Sequence, residues 1–244
     1  MSVLLPPPAG TALLVPVKIN SNSKTRLSGL LSPEERQALA RAMLRAVLSR
    51  LAGAYGGLPG VGLAAVGLAD GGLAAVGRDG EALNEARGFG FEIIPEAEQI
   101  SESRSVDRAC SRLAGQGWRG VLRLPLDLPL FHPVALNPLW EAVQAAPGNI
   151  AVLVPSRDGT GTNALYRSPP TAFASRFGPD SLRLHLEEAR RTGVEATVLS
   201  LPELGLDIDT PEDVAELLGR DEAGENSGGA IRELLLAWGV AERL

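Results

Sequence analysis

Cysteine occurs once in this chain, at Cys110, and histidine twice, at His132 and His185. A single thiol rules out an internal disulfide framework and a cysteine-based zinc site, so Cys110 reads as a small packing residue on a helix. His132 reads as a turn residue and His185 as a packing or surface residue. Two histidines and no Gly-x-Ser-x-Gly elbow leave no case for acyl transfer. Aromatics make up only 4% of the 244 residues, so Ala, Val and Leu have to build the core. No apolar run reaches the length of a membrane span, and the Pro-rich start lacks the basic segment of a signal peptide. A soluble, cytoplasmic protein is therefore expected. With a formal net charge of −6 the chain also lacks the cation excess of a broad nucleic-acid-binding face. That balance still permits a phosphate ligand, because a few local cations and a divalent metal suffice to bind one.

What is present is an alternation of apolar runs and capped helices. Residues 1–10 read as a loose leader, since Pro6, Pro7 and Pro8 forbid a helix or a central strand. Thr11 to Val17 reads as a buried strand. Ser32-Pro33-Glu34-Glu35 opens a helix with a capping box, continues through Leu39, Met43, Val47 and Leu51, and ends at Gly53. Val61 to Gly77 fits one or two strands with turns at Asp70-Gly71-Gly72 and Asp79-Gly80. A short helix near Glu81 to Ala86, a strand near Phe91 to Ile94 and a helix from Ser105 to Gly115 follow. Gly120 to Pro125 and Asn149 to Pro155 are buried strands, with a helix after Pro133 between them. Asp180 to Thr192 is a helix, Thr197 to Leu201 a strand and Pro211 to Gly219 a helix. The polar stretch Asp221 to Gly229 leads to an amphipathic helix carrying Trp238, which can pack on this chain or on a second copy in a homodimer. The pattern predicts an α/β fold with a mostly parallel sheet covered on both faces. One domain spans residues 11–220, with a linker and helix over 221–244.

In such a fold, ligands sit at the carboxyl ends of the strands. Asp207 and Asp209 stand one residue apart before a helix that Thr210 caps and Pro211 begins. In an extended backbone their side chains share one side, roughly 6.5 to 7 Å apart. Asp127, between Pro125 and Pro129, supplies a third carboxylate. Three hard oxygen ligands suit Mg²⁺ and not zinc. Lys18, Lys24 and Arg26 lie in a small-residue loop after the first strand and suit an anion, although no Walker A pattern is present. Gly159-Thr160-Gly161-Thr162-Asn163 can form an oxyanion cradle. Phe177-Gly178-Pro179-Asp180-Ser181 opens a helix whose start suits a phosphate or carboxylate. Each segment also has an ordinary reading: an acidic turn, a solvated loop, a tight glycine turn or a helix cap.

Taken in order, these segments resemble a known family. Leu14-Val15-Pro16-Val17-Lys18, Lys24-Thr25-Arg26-Leu27-Ser28 and Leu31-Ser32-Pro33-Glu34-Glu35-Arg36 are similar to its N-terminal signature. Asp127-Leu128-Pro129-Leu130, Gly161-Thr162-Asn163-Ala164-Leu165, Phe177-Gly178, Ser181, His185 and Leu206 to Asp213 are similar to its later motifs. The family is the 2-phospho-L-lactate/phosphoenolpyruvate guanylyltransferases of deazaflavin coenzyme F-420 biosynthesis. The resemblance implies a three-layer Rossmann-like nucleotidyltransferase fold of the glycosyltransferase-A kind. It implies GTP as donor and a small phosphorylated three-carbon acid as acceptor. Asp127, Asp207 and Asp209 would hold Mg²⁺, and Thr162, Gly178 and Ser181 the acceptor. Lys18, Lys24 and Arg26 would face the triphosphate, with Lys18, Lys24 and Asp127 carrying catalysis. Where the family shows Gly-Leu-Asn-x-Ala, this chain has Ser103, Arg104 and Ser105. Arg104 is thus an added cation for the nucleotide or a more anionic acceptor. Arg123, inside a buried strand, has no role in this reading. Another sugar-phosphate or molybdenum-cofactor-type nucleotidyltransferase, and a non-catalytic nucleotide-binding regulator, remain as alternatives.

Overall fold

The computed structural model describes residues 3–18, 23–56, 72–98, 100–146, 148–220 and 229–244. The strands are β1 (Thr11–Val17), β2 (Gly72–Gly77), β3 (Glu92–Pro95), β4 (Gly120–Arg123), β5 (Ile150–Pro155), β6 (Thr162–Ser168) and β7 (Glu195–Val198). The helices are α1 (Pro33–Tyr55), α2 (Gly80–Gly88), α3 (Glu102–Gly115), α4 (Asn137–Ala145), α5 (Ser181–Thr192), α6 (Pro202–Gly205), α7 (Pro211–Gly219) and α8 (Gly229–Ala237). The sheet order is β3-β2-β1-β4-β6-β5-β7. β1 pairs in parallel with β2 and β4, β2 with β3, and β5 with β7. β6 runs against both of its neighbours, β4 and β5.

The period of two along β1 sets the layers. Leu13, Val15 and Val17 face one side, where they join Leu44, Val47 and Leu48 of α1 and Trp140 of α4. Ala12 and Leu14 face the other, against Val106, Ala109 and Cys110 of α3. Further along that second side, Leu153 of β5 and Leu165 of β6 meet Ala189 of α5. Helices therefore cover both faces of a mostly parallel sheet, as expected. Val17 and Gly77 close the β1–β2 pairing, and a Cβ on Gly77 would overlap the Val17 carbonyl oxygen. Glycine there lets two strands approach at the edge where the loops of the site begin.

Several boundaries differ from the sequence reading, each for a tertiary reason. α1 runs past Gly53 to Tyr55, whose hydroxyl donates to the Pro133 carbonyl at 3.1 Å and accepts from Trp140 Nε1 at 3.3 Å. Asp79-Gly80 is no free turn: Asp79 caps α2 through the amides of Glu81 and Ala82. α3 starts at Glu102 rather than Ser105, because Ser101 Oγ accepts from the Arg104 amide. β7 occupies residues 195–198 instead of 197–201, in parallel register with β5. The strand expected across Val61 to Gly77 appears from Gly72 onward; residues 57–71 lie outside the described residues, as do 221–228. α8 packs on its own chain, with Ile231 and Leu235 among Met43, Val214 and Leu217. Among the described residues, no helix is long and apolar enough to cross a membrane.

Candidate active site

Three segments that carry acids or cations meet at the carboxyl edge of β1 and β4. After β4 the Leu124 amide donates to the Leu14 carbonyl at 3.0 Å, and the chain then turns through Pro125 to Asp127. The Asp127 carbonyl accepts from the Ile208 amide at 3.1 Å, stitching the two acidic segments together. Thr210 and Asp213 form a capping box that starts α7. Asp213 Oδ2 accepts from the Thr210 amide at 2.8 Å and the Asp209 amide at 3.1 Å. That cap fixes the extended run before it, so Ile208 turns into the core while Asp207 and Asp209 take the opposite side.

Lys24 completes the cluster. Its backbone is left-handed, with φ of +56°, at the start of a 3-10 turn over Thr25–Leu27. A non-glycine residue there costs about 1–2 kcal/mol. The side chain offsets that cost: Nζ donates to Asp127 Oδ2 at 2.7 Å and to Asp209 Oδ1 at 2.8 Å. Burial alone would push the ammonium down, but the Asp127 and Asp209 charges raise its pKa above the usual lysine value. Burial pushes Asp127 up, yet the Lys24 charge and bond outweigh it and hold the carboxyl below its ordinary range. Asp207 goes the other way. Burial and then the Asp127 charge push it up to about 6, against a bond from Asn163. Asn163 Nδ2 donates to Asp207 Oδ1 at 3.2 Å and to the Leu204 and Gly205 carbonyls.

A second cluster starts on the residue beside Asn163. Thr162 and Asn163 open β6 where its register with β5 slips by one residue, Thr162 facing Pro155 and Ala164 facing Val154, so Asn163 is the extra residue of a bulge. Thr162 Oγ1 lies 3.0 Å from His185 Nδ1. His185 Nε2 accepts from the Arg176 amide at 2.8 Å, so the ring proton sits on Nδ1 and Thr162 Oγ1 accepts it. The Thr162 hydroxyl proton is then available as a donor. Ser181, buried, is the first residue of α5, and Gly178 has φ of +126°. The Phe177 amide donates to Ser103 Oγ at 2.8 Å, tying this segment to α3.

Burial, then the nearby Arg167, Arg123 and Arg176, push His185 down to about 3. The folded pKa therefore lies below the ordinary value of 6.5. On acidification the unfolded chain takes up the proton first. The stability this group contributes is full above pH 6.5 and is lost between there and about 3, at up to about 1.4 kcal/mol per pH unit. In His185→Gln the decline of melting temperature below pH 6.5 should be shallower than in wild type. An unchanged slope would show that His185 does not set it.

The structure thus brings Lys24, Asp127, Asp207 and Asp209 into one cluster, and joins Thr162 through His185 to α5, which Ser181 opens, and to Phe177, which precedes Gly178. Lys18 and Arg26 are exposed and make no ion pair with the three carboxylates among the described residues. Arg104 is exposed on the first turn of α3, outside both clusters. The expected oxyanion cradle is a self-satisfied turn. Asp158 accepts from Ser156, Thr160 Oγ1 and the Thr160 amide, while Ser156 Oγ accepts from the Gly161 amide. These bonds hold Asp158 at about pKa 2. The sequence offers Asn163 only as part of the cradle segment and Ser103 only as a departure from the family pattern; neither points to the partner found here, Asp207 and the Phe177 amide. Arg123 carries a signal, as a guanidinium within an apolar strand.

Among the described residues, no set of three or more His, Cys, Asp and Glu side chains is arranged to cage a metal ion. The donor set nevertheless fits Mg²⁺. Its atoms are all carboxylate oxygens, and two of the three carboxylates already share one cation, the Lys24 ammonium.

A family model described as guanylyl transferase CofC like matches residues 11–57 and 61–234. The phosphoenolpyruvate guanylyltransferase of Rubrobacter xylanophilus is 36% identical over 216 residues, covering 88% of this chain and 94% of that protein. The 2-phospho-L-lactate guanylyltransferase of Methanothermobacter thermautotrophicus is 29% identical over 224 residues, covering 92% and 91%. Among solved structures, a putative nucleotide-diphospho-sugar transferase from Desulfovibrio desulfuricans G20 superposes with a TM-score of 0.72 at 16% identity, covering 96% of this chain and 98% of that one. Glucosyl-3-phosphoglycerate synthase from Mycobacterium tuberculosis, solved with Mn²⁺ and uridine diphosphate, superposes with a TM-score of 0.52 at 12% identity, covering 93% and 78%. These two likenesses concern the fold.

Proposed function

We infer the reaction from a premise that the family match establishes: the chain belongs to the CofC-like guanylyl transferase family. The protein moves GMP from GTP onto the phosphate of a small phospho-acid and releases pyrophosphate, as a step of deazaflavin coenzyme biosynthesis. The acceptor is 2-phospho-L-lactate, phosphoenolpyruvate or 3-phosphoglycerate; the first two are the acids named for its relatives. The observation that carries this reading is the Lys24 ammonium held between Asp127 and Asp209 at the carboxyl edge of β1 and β4. It is a cation-and-carboxylate centre placed where an α/β sheet takes its ligands.

A phosphate oxygen of the acceptor attacks the α-phosphorus of GTP. The new P–O bond forms as the bond to the β-phosphate oxygen breaks, and pyrophosphate leaves with that electron pair. The acceptor phosphate is already anionic at neutral pH, so the chain need not supply a general base. Its work is positioning and charge neutralisation. Lys24 leaves the carboxylates for the triphosphate when nucleotide binds, with Lys18 and Arg26 on the same loop as further phosphate contacts. Asp127, Asp207 and Asp209 would hold Mg²⁺, which would supply neutralisation of phosphate charge. The Thr162 hydroxyl, the backbone at Gly178, where no Cβ intervenes, and Ser181 at the start of α5 hold the acceptor.

The test is pyrophosphate release from GTP and Mg²⁺ with each of the three acids in turn, and with ATP, CTP and UTP as donors. Turnover with at least one acid and a preference for GTP is expected. Failure of all three acids would overturn the transfer reading.

A further inference from the structure

Arg123 ends β4 and is only 6% exposed. A buried guanidinium is costly unless its donors are met. Nη1 donates to the Asn163 carbonyl at 2.9 Å, and Cζ lies 4.3 Å from the centre of the Phe177 ring. Nη2 donates to one carboxylate oxygen of Glu102. Nε is buried and has no hydrogen-bond partner. Nε–H and the neighbouring Nη2–H make one edge of the planar group, and that edge matches a carboxylate that accepts both bonds. Glu102 fills half of it with a single contact. Its side chain is 39% exposed, so it can turn out to water. As the first residue of α3, it stays favourably placed at the helix start when it does.

The unpaired half of that edge, buried behind Glu102, belongs to a side chain whose contacts border the second cluster of the site. Asn163 follows Thr162, Phe177 precedes Gly178, and the Phe177 ring lies 4.9 Å from that of His185, which bonds Thr162. Each of the three candidate acceptors carries one carboxylate besides its phosphate. The phosphate is committed to the reacting centre, so the uncharged donors of Thr162, Gly178 and Ser181 face the carboxylate, and its charge is left for a cation to meet.

We propose that the Nε–Nη2 edge of Arg123 binds the carboxylate of the phospho-acid acceptor, and that Glu102 is the internal carboxylate displaced when it does. This rests on the guanylyl-transfer reading of the site. Arg123 then adds a charged contact to those of Thr162, Gly178 and Ser181 in selecting phospho-acids over plain phosphate esters, and Glu102 weakens acceptor binding by competing for it.

The experiment compares phosphoenolpyruvate with isopropenyl phosphate, in which a methyl replaces the carboxylate. If phospholactate is the better substrate, isopropyl phosphate serves as its analogue. Wild type, Arg123→Lys and Glu102→Gln are assayed for pyrophosphate release from GTP. Arg123→Lys keeps the charge and loses the fork. It should lower kcat/KM at least about tenfold for the acid and less than about twofold for the analogue. Glu102→Gln should lower KM for the acid several-fold, without lowering it for the analogue or for GTP. Equal losses on acid and analogue in Arg123→Lys would overturn the proposal, as would a raised acid KM in Glu102→Gln. If Arg123→Lys fails to fold, Glu102→Gln decides alone. Turnover of the acid with no Arg123-dependent preference sinks this inference and leaves guanylyl transfer standing. No wild-type turnover of any phospho-acid removes both.

Discussion

Asp127→Asn and Asp209→Asn should each reduce guanylyl transfer by about a thousandfold while the protein stays folded. The figure follows from charge. A cation site that stabilises phosphate charge is worth several kcal/mol, and about 4 kcal/mol is about a thousandfold in rate. The fold should survive because the local structure around each acid does not depend on its charge. Asp127 is held by the Ile208 amide on its carbonyl, and Asp209 by its own amide on Asp213. Lys24 keeps one carboxylate partner in either variant. Asp207 offers an independent check. The Asp127 charge is the second cause, after burial, of its pKa of about 6. In Asp127→Asn the Asp207 carboxyl should therefore titrate lower than in wild type, measurable by NMR. Turnover within tenfold of wild type in either variant would refute the assignment of these acids to the reacting centre.

The parts of this site that were legible in the sequence are those fixed by short-range chemistry. Thr210-Pro211-Glu212-Asp213 specifies a cap, and the cap specifies an extended run before it. The convergence of Asp207 and Asp209 on one side was therefore readable from neighbouring residues alone. The Ser32 capping box and the buried stripe of α1 were readable for the same reason. What was not legible depends on partners distant in the chain. β6 was missed because Thr162–Ser168 mixes polar and apolar residues without a strand-like alternation. Its Arg167 is buried through Asp107, 60 residues away, and the Phe173 carbonyl. Losing β6 also hid the bulge at its start, where Thr162 meets His185 and Asn163 meets Asp207. The basic loop shows a finer limit. Lys18, Lys24 and Arg26 are equivalent as cations, and only the left-handed turn at Lys24 decides which of them reaches the carboxylates. Arg123 was visible as an anomaly, but its meaning lies in Glu102, Asn163 and Phe177, all brought to it by the fold.

Lys24→Met should convert the centre from one that carries its own cation to one that depends on an added one. Without the ammonium, Asp127 and Asp209 lose their shared partner and face Asp207 with nothing to offset their charge. At pH 7.5 without Mg²⁺ the variant should melt below wild type. The sign of its pH dependence follows from the carboxyls. With Lys24 gone, burial is left to raise the Asp127 carboxyl as it already raises that of Asp207, so the folded state binds protons more tightly, and stability is regained as pH falls through those values. The melting deficit should therefore shrink at pH 5.5. Mg²⁺ at pH 7.5 should close it by another route, since a cation that binds only the folded state adds about 1.4 kcal/mol at ten times its Kd. Wild type should gain less from the same Mg²⁺, because Lys24 already fills the gap between two of the three acids and must be displaced. Guanylyl transfer should fall about a hundredfold or more even with Mg²⁺ saturating, because Lys24 is then missing from the triphosphate. A melting shift with Mg²⁺ no larger in Lys24→Met than in wild type would show that the lysine and the metal do not share a place, and that these carboxylates hold a lysine for structural reasons alone.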